Sequence, residues 1–162
     1  MPDLHLAAIA LGSNLPSVSG GPRENLDEAI KRIGALGRVA AVSSYLDTPP
    51  EIYVNQPEFV NAALVLETSL APVELLRALL SIEIEMGRVR IGVPNKGPRL
   101  IDLDLILFDD VAMDSTELVL PHPGLAERWF VLAPLAEIAG DWAHPVTGAT
   151  IAQMLNDLGR VR

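Results

Sequence analysis

The chain has 162 residues, 49% of them hydrophobic, and a formal net charge of −9 at pH 7. This length fits one domain with a sizeable core, and the acidic charge argues against nucleic acid as a partner, because that binding depends on Lys and Arg at phosphates. Every apolar run stops short of the about 20 residues that span a membrane, no signal-peptide pattern precedes them, and no cysteine offers disulfide or thiolate chemistry. We expect one cytoplasmic domain over residues 1–162, with no membrane partner.

The first elements of the chain alternate between strand and helix patterns. The apolar segment His5–Leu11 predicts a strand that runs into a loop at Gly12. Asn25–Leu36 carries apolar residues at helical spacing, and Gly37 is placed to end that helix. Arg38–Asp47 alternates loosely and predicts a second strand, which the following prolines stop.

The middle of the chain repeats this order. Phe59–Thr68 predicts a third strand, and Pro72 suits the first position of a helix that Gly87 ends. The apolar run Arg99–Phe108 then predicts a fourth strand. Strand, helix, strand, strand, helix, strand is the order of the split βαβ units in ferredoxin-like folds. We therefore predict an α+β, ferredoxin-like sandwich with a central, largely antiparallel sheet.

The remainder of the chain adds to this framework. Leu105–Asp109 and Glu117–Leu120 predict a hairpin. Helical patterns follow at Leu125–Ile138 and Thr150–Leu158, and Pro134 is expected to break the first of them in two.

Two carboxylates interrupt the apolar run of the fourth strand. Asp102 and Asp104 are two residues apart, so their side chains share one face of the strand. Five apolar residues flank and separate them within a span of seven, which favours a buried strand over an edge strand with two solvated aspartates. Unpaired buried carboxylates are costly, so we expect a cation over this face, and a divalent metal satisfies both groups.

A basic segment precedes the strand. Arg88, Arg90, Lys96 and Arg99 lie within twelve residues with no acid among them. Taken alone, this is a solvated basic loop, but next to a two-aspartate strand it suits a metal-bound polyphosphate, because arginine forks bind phosphate oxygens and Mg²⁺ prefers carboxylate and phosphate ligands. Neither G-x-x-x-x-G-K-[ST] nor G-x-G-x-x-G occurs, so a nucleotide site must be built differently.

These motifs together resemble the 6-hydroxymethyl-7,8-dihydropterin pyrophosphokinase family of folate biosynthesis over nearly the whole chain. The Gly-Pro-Arg-x-x-Asp-Leu-Asp block that begins at Gly97 is specific to it. The matching segments are Ala10–Leu15, Thr48–Pro50, Phe59–Ala63, Glu83, Gly87–Arg90, Gly97–Arg99, Asp102–Asp104, Leu120–His122 and Arg128–Phe130.

The resemblance implies transfer of the diphosphate of ATP to a pterin alcohol, with release of AMP. It implies that Asp102 and Asp104 hold two Mg²⁺ ions, and that a mobile loop, residues 88–99, closes over ATP. Arg88 and Arg99 would share the catalytic role with the aspartates. The ATP-binding residues that it implies are Glu83, Arg88, Arg90, Arg99, Leu105, His122 and Arg128.

The resemblance also implies a pterin site. Asn61 would hydrogen-bond the edge of the ring and Phe130 would stack on its face. The pterin-binding residues that it implies are Thr48, Pro49, Tyr53, Phe59, Asn61 and Phe130. Each has an ordinary alternative: Phe59 and Phe130 as core residues, Asn61 as a strand-end hydrogen bonder, and His122 as a structural loop residue.

The chain departs from the family pattern in a few places. Lys96 and Pro123 stand where many members have aromatic residues, and Pro16–Arg23 is a small insertion without an assigned role. Two other functions stay open: metal-dependent phosphohydrolysis at the same aspartates, and a regulatory module that binds a metabolite without chemistry. We expect a monomer with ATP and the pterin as its partners.

Overall fold

The computed structural model describes residues 3–48, 58–87 and 100–161. Seven strands, four helices and one 3-10 turn are defined within these ranges. In chain order they are β1 (His5–Ser13), α1 (Pro22–Ile33), β2 (Arg38–Val42), β3 (Leu46–Thr48), β4 (Phe59–Thr68), α2 (Pro72–Glu85), β5 (Asp102–Phe108), β6 (Met113–Asp114), β7 (Val119–Leu120), the 3-10 turn Leu125–Glu127, α3 (Trp129–Ala139) and α4 (Ile151–Val161). No helix in these ranges is long and apolar enough to cross a bilayer.

The main sheet has the strand order β2-β4-β1-β5, and β3 also pairs with β4. Every pairing in it is antiparallel. Helix α1 joins β1 to β2 across β4, and α2 joins β4 to β5 across β1, so each connection passes over one intervening strand. This is the split βαβ arrangement, and it confirms the ferredoxin-like α+β fold that the sequence predicts.

The sheet buries both of its faces, because successive side chains of a strand point to opposite sides. On β1, Ile9 and Leu11 pack with α1 and α2, whereas Ala8 and Ala10 pack with α3 and α4. The molecule therefore has two cores, and each fully buried Leu or Ile contributes about 1.5–3 kcal/mol to them. The small alanines on the second face let α3 lie close to the sheet.

Helix α1 is shifted by three residues from the predicted range: it begins at Pro22 rather than Asn25 and ends at Ile33 rather than Leu36. Its first residue is Pro22, whose missing N–H costs nothing at that position. The carboxylate of Glu24 accepts a hydrogen bond from the N–H of Gly21 at 3.1 Å, which satisfies one of the free donors of the helix N-terminus. At the other end the helix stops at Gly34 rather than Gly37.

The predicted strand Arg38–Asp47 is divided into β2 and β3 by residues 43–45. The N–H of Ser43 donates to the carbonyl of Ala63, while the Ser43 hydroxyl accepts the N–H of Ala63, both at 2.9 Å. The hydroxyl replaces the backbone carbonyl as the acceptor, so the backbone can turn away without leaving the Ala63 N–H unpaired.

The C-terminal part differs from the prediction in two respects. Strand β7 pairs with β6 rather than with the segment Leu105–Asp109. Pro134 lies inside α3 and does not break it; the chain instead bends at Arg128, before the helix begins. The loss of one helical hydrogen bond at Pro134 is offset by burial of Val131, Leu132 and Leu135 against the sheet.

Gly37 does not end helix α1; its lack of a side chain instead lets the chain pass close to β4. A Cβ at this position would collide with the backbone carbonyl oxygen of Glu67 on β4. We expect Gly37→Ala to lower the free energy of unfolding by about 1–3 kcal/mol, because a backbone clash cannot be relieved by a side-chain rotation. Urea denaturation measures this.

The matched control is Gly159→Ala in α4, where a Cβ meets no atom within 4 Å. That variant should be as stable as the parent or more stable by up to about 1 kcal/mol, since alanine favours the helix. Equal effects of the two substitutions would contradict the close approach at Gly37.

Candidate active site

The two aspartates lie on one face of β5, as predicted. The other five residues of the strand are buried, while Asp102 and Asp104 are partly exposed. Leu103 and Leu105 point into the α1–α2 core, so the carboxylates face the side of the sheet that α3 and α4 cover. Among the described strands β5 lies at the edge of the sheet, whereas the sequence favours a buried strand over an edge strand. Its apolar residues are nevertheless buried, as expected.

A cross-strand row connects these carboxylates to the opposite part of the site. Gly12 on β1 pairs with Asp102 on β5 and with Asn61 on β4. A Cβ on Gly12 would lie 2.9 Å from Oδ1 of Asn61, so the amide of Asn61 rests over the glycine. Two strand spacings separate Asp102 from Asn61, which is about 10 Å. Because Gly12 has no side chain, the Asn61 amide can lie above the buried backbone of β1.

Asn61 is held by a neighbour on β3. Its Nδ2 donates to Oγ1 of Thr48 at 2.7 Å, and both residues are buried. This bond defines the orientation of the amide. An amide oxygen beside an N–H group matches the donor and acceptor pattern of a heterocyclic amide edge.

Two aromatic side chains lie on the same side of the sheet as Asn61. Phe59, at the start of β4, is opposite Thr48 and shares the face of Asn61 by strand alternation. Phe130, in the first turn of α3, is partly buried against the α3–α4 core. Its ring contacts that of Trp129 edge to face, with the centroids 6.5 Å apart. Both rings are therefore on the side of the sheet that carries the aspartates.

His122 and Arg128 form the other end of the site. The N–H of His122 donates to the carbonyl of Ile106 on β5 at 2.9 Å, which fixes the loop to the aspartate strand. The ring Nδ1 accepts the N–H of Gly124 at 3.1 Å, so a neutral ring carries its proton on Nε2. The guanidinium of Arg128 folds over Gly124, where a Cβ would lie 2.8 Å from Nε.

Electrostatics connect these residues to the aspartates. Burial lowers the pKa of His122, Arg128 lowers it further, and Asp102 opposes both. His122 is therefore neutral at pH 7 and offers an N–H donor beside a permanent cation. A donor and a guanidinium next to one carboxylate suit the phosphate of a metal-bound nucleotide.

Glu83 and Leu105 lie behind the strand. Glu83 on α2 is 1% exposed, and its carboxylate accepts the N–H of Leu103 at 2.7 Å. Leu105 is buried in the α1–α2 core. Both side chains are on the opposite side of β5 from the carboxylates, and their nucleotide contacts stay predictions. Glu83 instead fixes the backbone between the two aspartates.

The residues fit a hard divalent cation that arrives with a nucleotide. Within the described ranges, no group of three or more His, Cys, Asp or Glu side chains could hold a metal ion. Two partly exposed carboxylates are nevertheless the typical protein contribution to a Mg²⁺ site in which phosphates and water supply the other ligands. The predicted residues Arg88, Arg90, Arg99, Pro49 and Tyr53 lie outside the described residues.

Sequence reasoning did not assign Gly12 or Gly124 a role in the site. Both make room for a functional side chain, Asn61 in one case and Arg128 in the other. The only local signal is a glycine beside polar residues at the end of a strand. The contact itself depends on strand pairing across 49 residues for Gly12 and Asn61, which no local pattern contains.

Comparison with known proteins shows the family of the chain. The family model for 7,8-dihydro-6-hydroxymethylpterin-pyrophosphokinase (HPPK) matches residues 8–140. The chain belongs to the HPPK family. The 2-amino-4-hydroxy-6-hydroxymethyldihydropteridine pyrophosphokinase of Bacillus subtilis is 41% identical over 92% of this chain and 87% of its own length. The Synechocystis protein of the same name is 39% identical over 95% of this chain and 76% of its own length.

Other HPPK relatives are longer. The folic acid synthesis protein fol1 of Schizosaccharomyces pombe is 39% identical over 94% of this chain, which spans only 20% of that protein. A crystal structure of wild-type HPPK-DHPS from Plasmodium falciparum with STZ-DHP has a TM-score of 0.72 at 16% identity, covering 97% of this chain and 42% of that one. At that identity the likeness shows the fold, and it agrees with the ferredoxin-like arrangement.

The pKa of His122 can be tested directly. In protein free of metal and nucleotide, we expect a value below the ordinary about 6.5. Arg128→Ala should raise it, because a nearby cation is removed, and Asp102→Asn should lower it, because an anion is removed. NMR titration of the ring protons measures all three.

The lowered pKa of His122 also sets the direction in which stability changes with pH. The unfolded chain binds the proton more readily, so the contribution of neutral His122 is complete above about pH 6.5 and is lost as the pH falls through the folded-state value. An unshifted His122, or a lower value in Arg128→Ala, would contradict the cluster of His122, Arg128 and Asp102.

Proposed function

We propose that the chain transfers the diphosphate group of ATP to 6-hydroxymethyl-7,8-dihydropterin, forming the pterin diphosphate and AMP in folate biosynthesis. The observation that carries this proposal is the row Asp102, Gly12 and Asn61. It sets Asp102, a carboxylate for a metal-bound phosphate, two strands and about 10 Å of backbone away from Asn61, whose oriented amide lies over Gly12. A flat bicyclic ring with a hydroxymethyl arm bridges such a gap.

The pterin occupies the Asn61 end. The amide of Asn61, oriented by Thr48, hydrogen-bonds the polar edge of the ring. Phe130 and Phe59 lie on the same side of the sheet and supply apolar surface for the ring faces. A ring held in this way directs its hydroxymethyl group along the row toward Asp102.

The nucleotide occupies the aspartate end. Arg128 and the Nε2–H of His122 contact the phosphate and sugar portion, because both are donors and His122 is neutral there. Asp102 and Asp104 provide the carboxylates for Mg²⁺, which we propose binds as two ions. When bound, Mg²⁺ neutralises the charge of the phosphates and favours ionisation of the attacking hydroxyl.

Transfer requires positioning more than protein nucleophiles. The pterin oxygen forms a bond to the β-phosphorus, the bond from that phosphorus to the α-phosphate oxygen breaks, and AMP leaves with the electron pair. The hydroxyl proton leaves to solvent or phosphate. The chain contributes by aligning the two substrates along the row, which converts a reaction of two molecules into one within a complex.

The remaining roles rest on the resemblance alone. We propose that Arg88 and Arg99 contact the transferring phosphates, that Arg90 lies along the nucleotide and that Tyr53 and Pro49 border the pterin. Residues 88–99 would close over ATP and exclude water, since hydrolysis competes with transfer. The cytoplasmic location and the monomeric state also stay predictions.

Product analysis tests this function. ATP and the pterin are incubated with the chain and Mg²⁺, and nucleotides and pterins are separated by chromatography. We expect AMP and pterin diphosphate in equal amounts, and no AMP when the pterin is omitted. Consumption of ATP without pterin would indicate a phosphohydrolase, and binding without turnover would indicate a regulatory module.

Substitution of one aspartate tests its role. We expect Asp104→Ala to lower the transfer rate by about 100-fold or more, because Mg²⁺ loses a ligand and with it part of the charge that neutralises the transferring phosphates. The variant should stay folded, which urea denaturation checks, because Asp104 is partly exposed. Asp114→Ala, which removes an exposed carboxylate on β6, is the control and should keep full activity. A near-normal rate in Asp104→Ala would contradict the metal role.

A further inference from the structure

A buried amide in the first turns of α1 connects three separate segments next to the site. Asn25 is 0% exposed. Its Nδ2 donates to the carbonyl of Leu15 at 2.8 Å, to Oγ of Ser13 at 3.2 Å and to the carbonyl of Leu100 at 3.3 Å. The partners lie 10 to 75 residues away along the chain.

These partners flank the row at both of its strands. Ser13 directly follows Gly12 on β1, and Leu100 is two residues before Asp102 on β5. Asn25 therefore joins the end of β1 to the start of β5, at the point where Gly12 pairs with Asp102. A buried N–H that loses its acceptor, or a carbonyl that loses its donor, costs about 1–3 kcal/mol, so the link is not easily broken.

The turn at residues 17–20 supplies a partner for the oxygen of the Asn25 amide. Ser17 and Gly20 exchange two backbone hydrogen bonds, at 2.8 and 3.1 Å, and close a tight turn whose tip residue Val18 is fully exposed. At the base of the turn the Ser17 hydroxyl accepts the N–H of Ser19 and donates to Oδ1 of Asn25. The carbonyls of Leu15 and Leu100 can only accept, so they require Nδ2 on their side, and the Ser17 hydroxyl then donates to Oδ1 on the other.

Other contacts of α1 with the pterin side are weaker. The ion pair of Arg23 with Asp47, at 2.9 Å, holds β3 one residue before Thr48, but both side chains are about half exposed. Exposed pairs of this kind contribute about 0–1 kcal/mol. Asn25 is the stronger of the two connections because its bonds are shielded from water.

We propose that Asn25 is a positioning residue for the metal and nucleotide end of the site, and that the turn at residues 17–20 supports it by pairing with Oδ1 of the amide. The proposal rests on the proposed function, and it assigns a role to the Pro16–Arg23 insertion. By fixing Leu100 against the end of β1, Asn25 holds the backbone of Asp102 in register with Gly12. Asp102 then keeps its position relative to His122 and Asn61.

Asn25→Asp separates this role from a general contribution to the helix. Aspartate is favourable in the first turns of a helix, so helix stability alone predicts little loss. At this site, however, a carboxylate oxygen replaces Nδ2 and faces the carbonyls of Leu15 and Leu100, which it repels. Ser17→Ala is a second variant, which removes the donor to Oδ1 and leaves the contacts of Nδ2 with both carbonyls in place.

The matched control is Thr68→Val, at the opposite end of the same sheet. Thr68 is 1% exposed, and its hydroxyl donates to the carbonyl of Leu36 and accepts the N–H of Leu70. The variant therefore loses buried hydrogen bonds of the same kind far from the row. Affinity for a non-hydrolysable ATP analogue with Mg²⁺ is measured by isothermal titration calorimetry, well below the unfolding temperature of each variant.

We expect Asn25→Asp to weaken binding of the ATP analogue with Mg²⁺ about tenfold or more, which is the loss in affinity typical when a group that orients metal ligands is removed. Ser17→Ala should weaken it by a smaller factor, and Thr68→Val should leave it unchanged. If all three lose stability but keep the parental affinity, Asn25 is structural only. If Asn25→Asp does not fold, a parental affinity in Ser17→Ala overturns the proposal. Failure of the parent chain to form pterin diphosphate would overturn the proposed function and leave this affinity comparison valid.

Discussion

The placement of two carboxylates, Asp102 and Asp104, on one face of β5 is the constraint around which the site is arranged. Residues one strand repeat apart, at about 7 Å, point to the same side of the strand. Their strand cannot rotate to separate them, because Leu103 and Leu105 hold its other face in the core. The face they share is left partly open, and the nearby histidine stays neutral while Arg128 supplies a cation. The site is thus suited to a ligand that brings positive charge.

Elements with strong local signals are predictable from the sequence. Strand β4 and the start of α2 have the predicted bounds, since an apolar run ends at polar residues and Pro72 suits only the first helical turn. The shared face of the two aspartates also follows from strand alternation alone. Helix α1 begins before the predicted Asn25, although Pro22 carries the same signal as Pro72, because the apolar spacing that predicts the helix starts only at Leu26.

What could not be predicted depends on partners distant in the sequence. Ser43 ends β2 by a side-chain bond to a strand 20 residues away. Pro134 stays within α3 because the sheet buries its neighbours. In the site, the resemblance assigned roles to Asn61 and His122. It assigned none to the glycines beneath Asn61 and Arg128 or to the link from Asn25 to Leu100. Hydrogen-bond geometry and close approach appear only once the strands are paired.

The bond between Glu83 and Leu103 has a consequence for self-association. A strand at the margin of a sheet presents unpaired N–H groups that can recruit a strand of another molecule. Among the described strands β5 lies at the margin of the sheet, and the buried Glu83 carboxylate occupies the N–H of Leu103 there. The contact that holds the aspartate backbone thus also closes that position of the strand to an incoming chain.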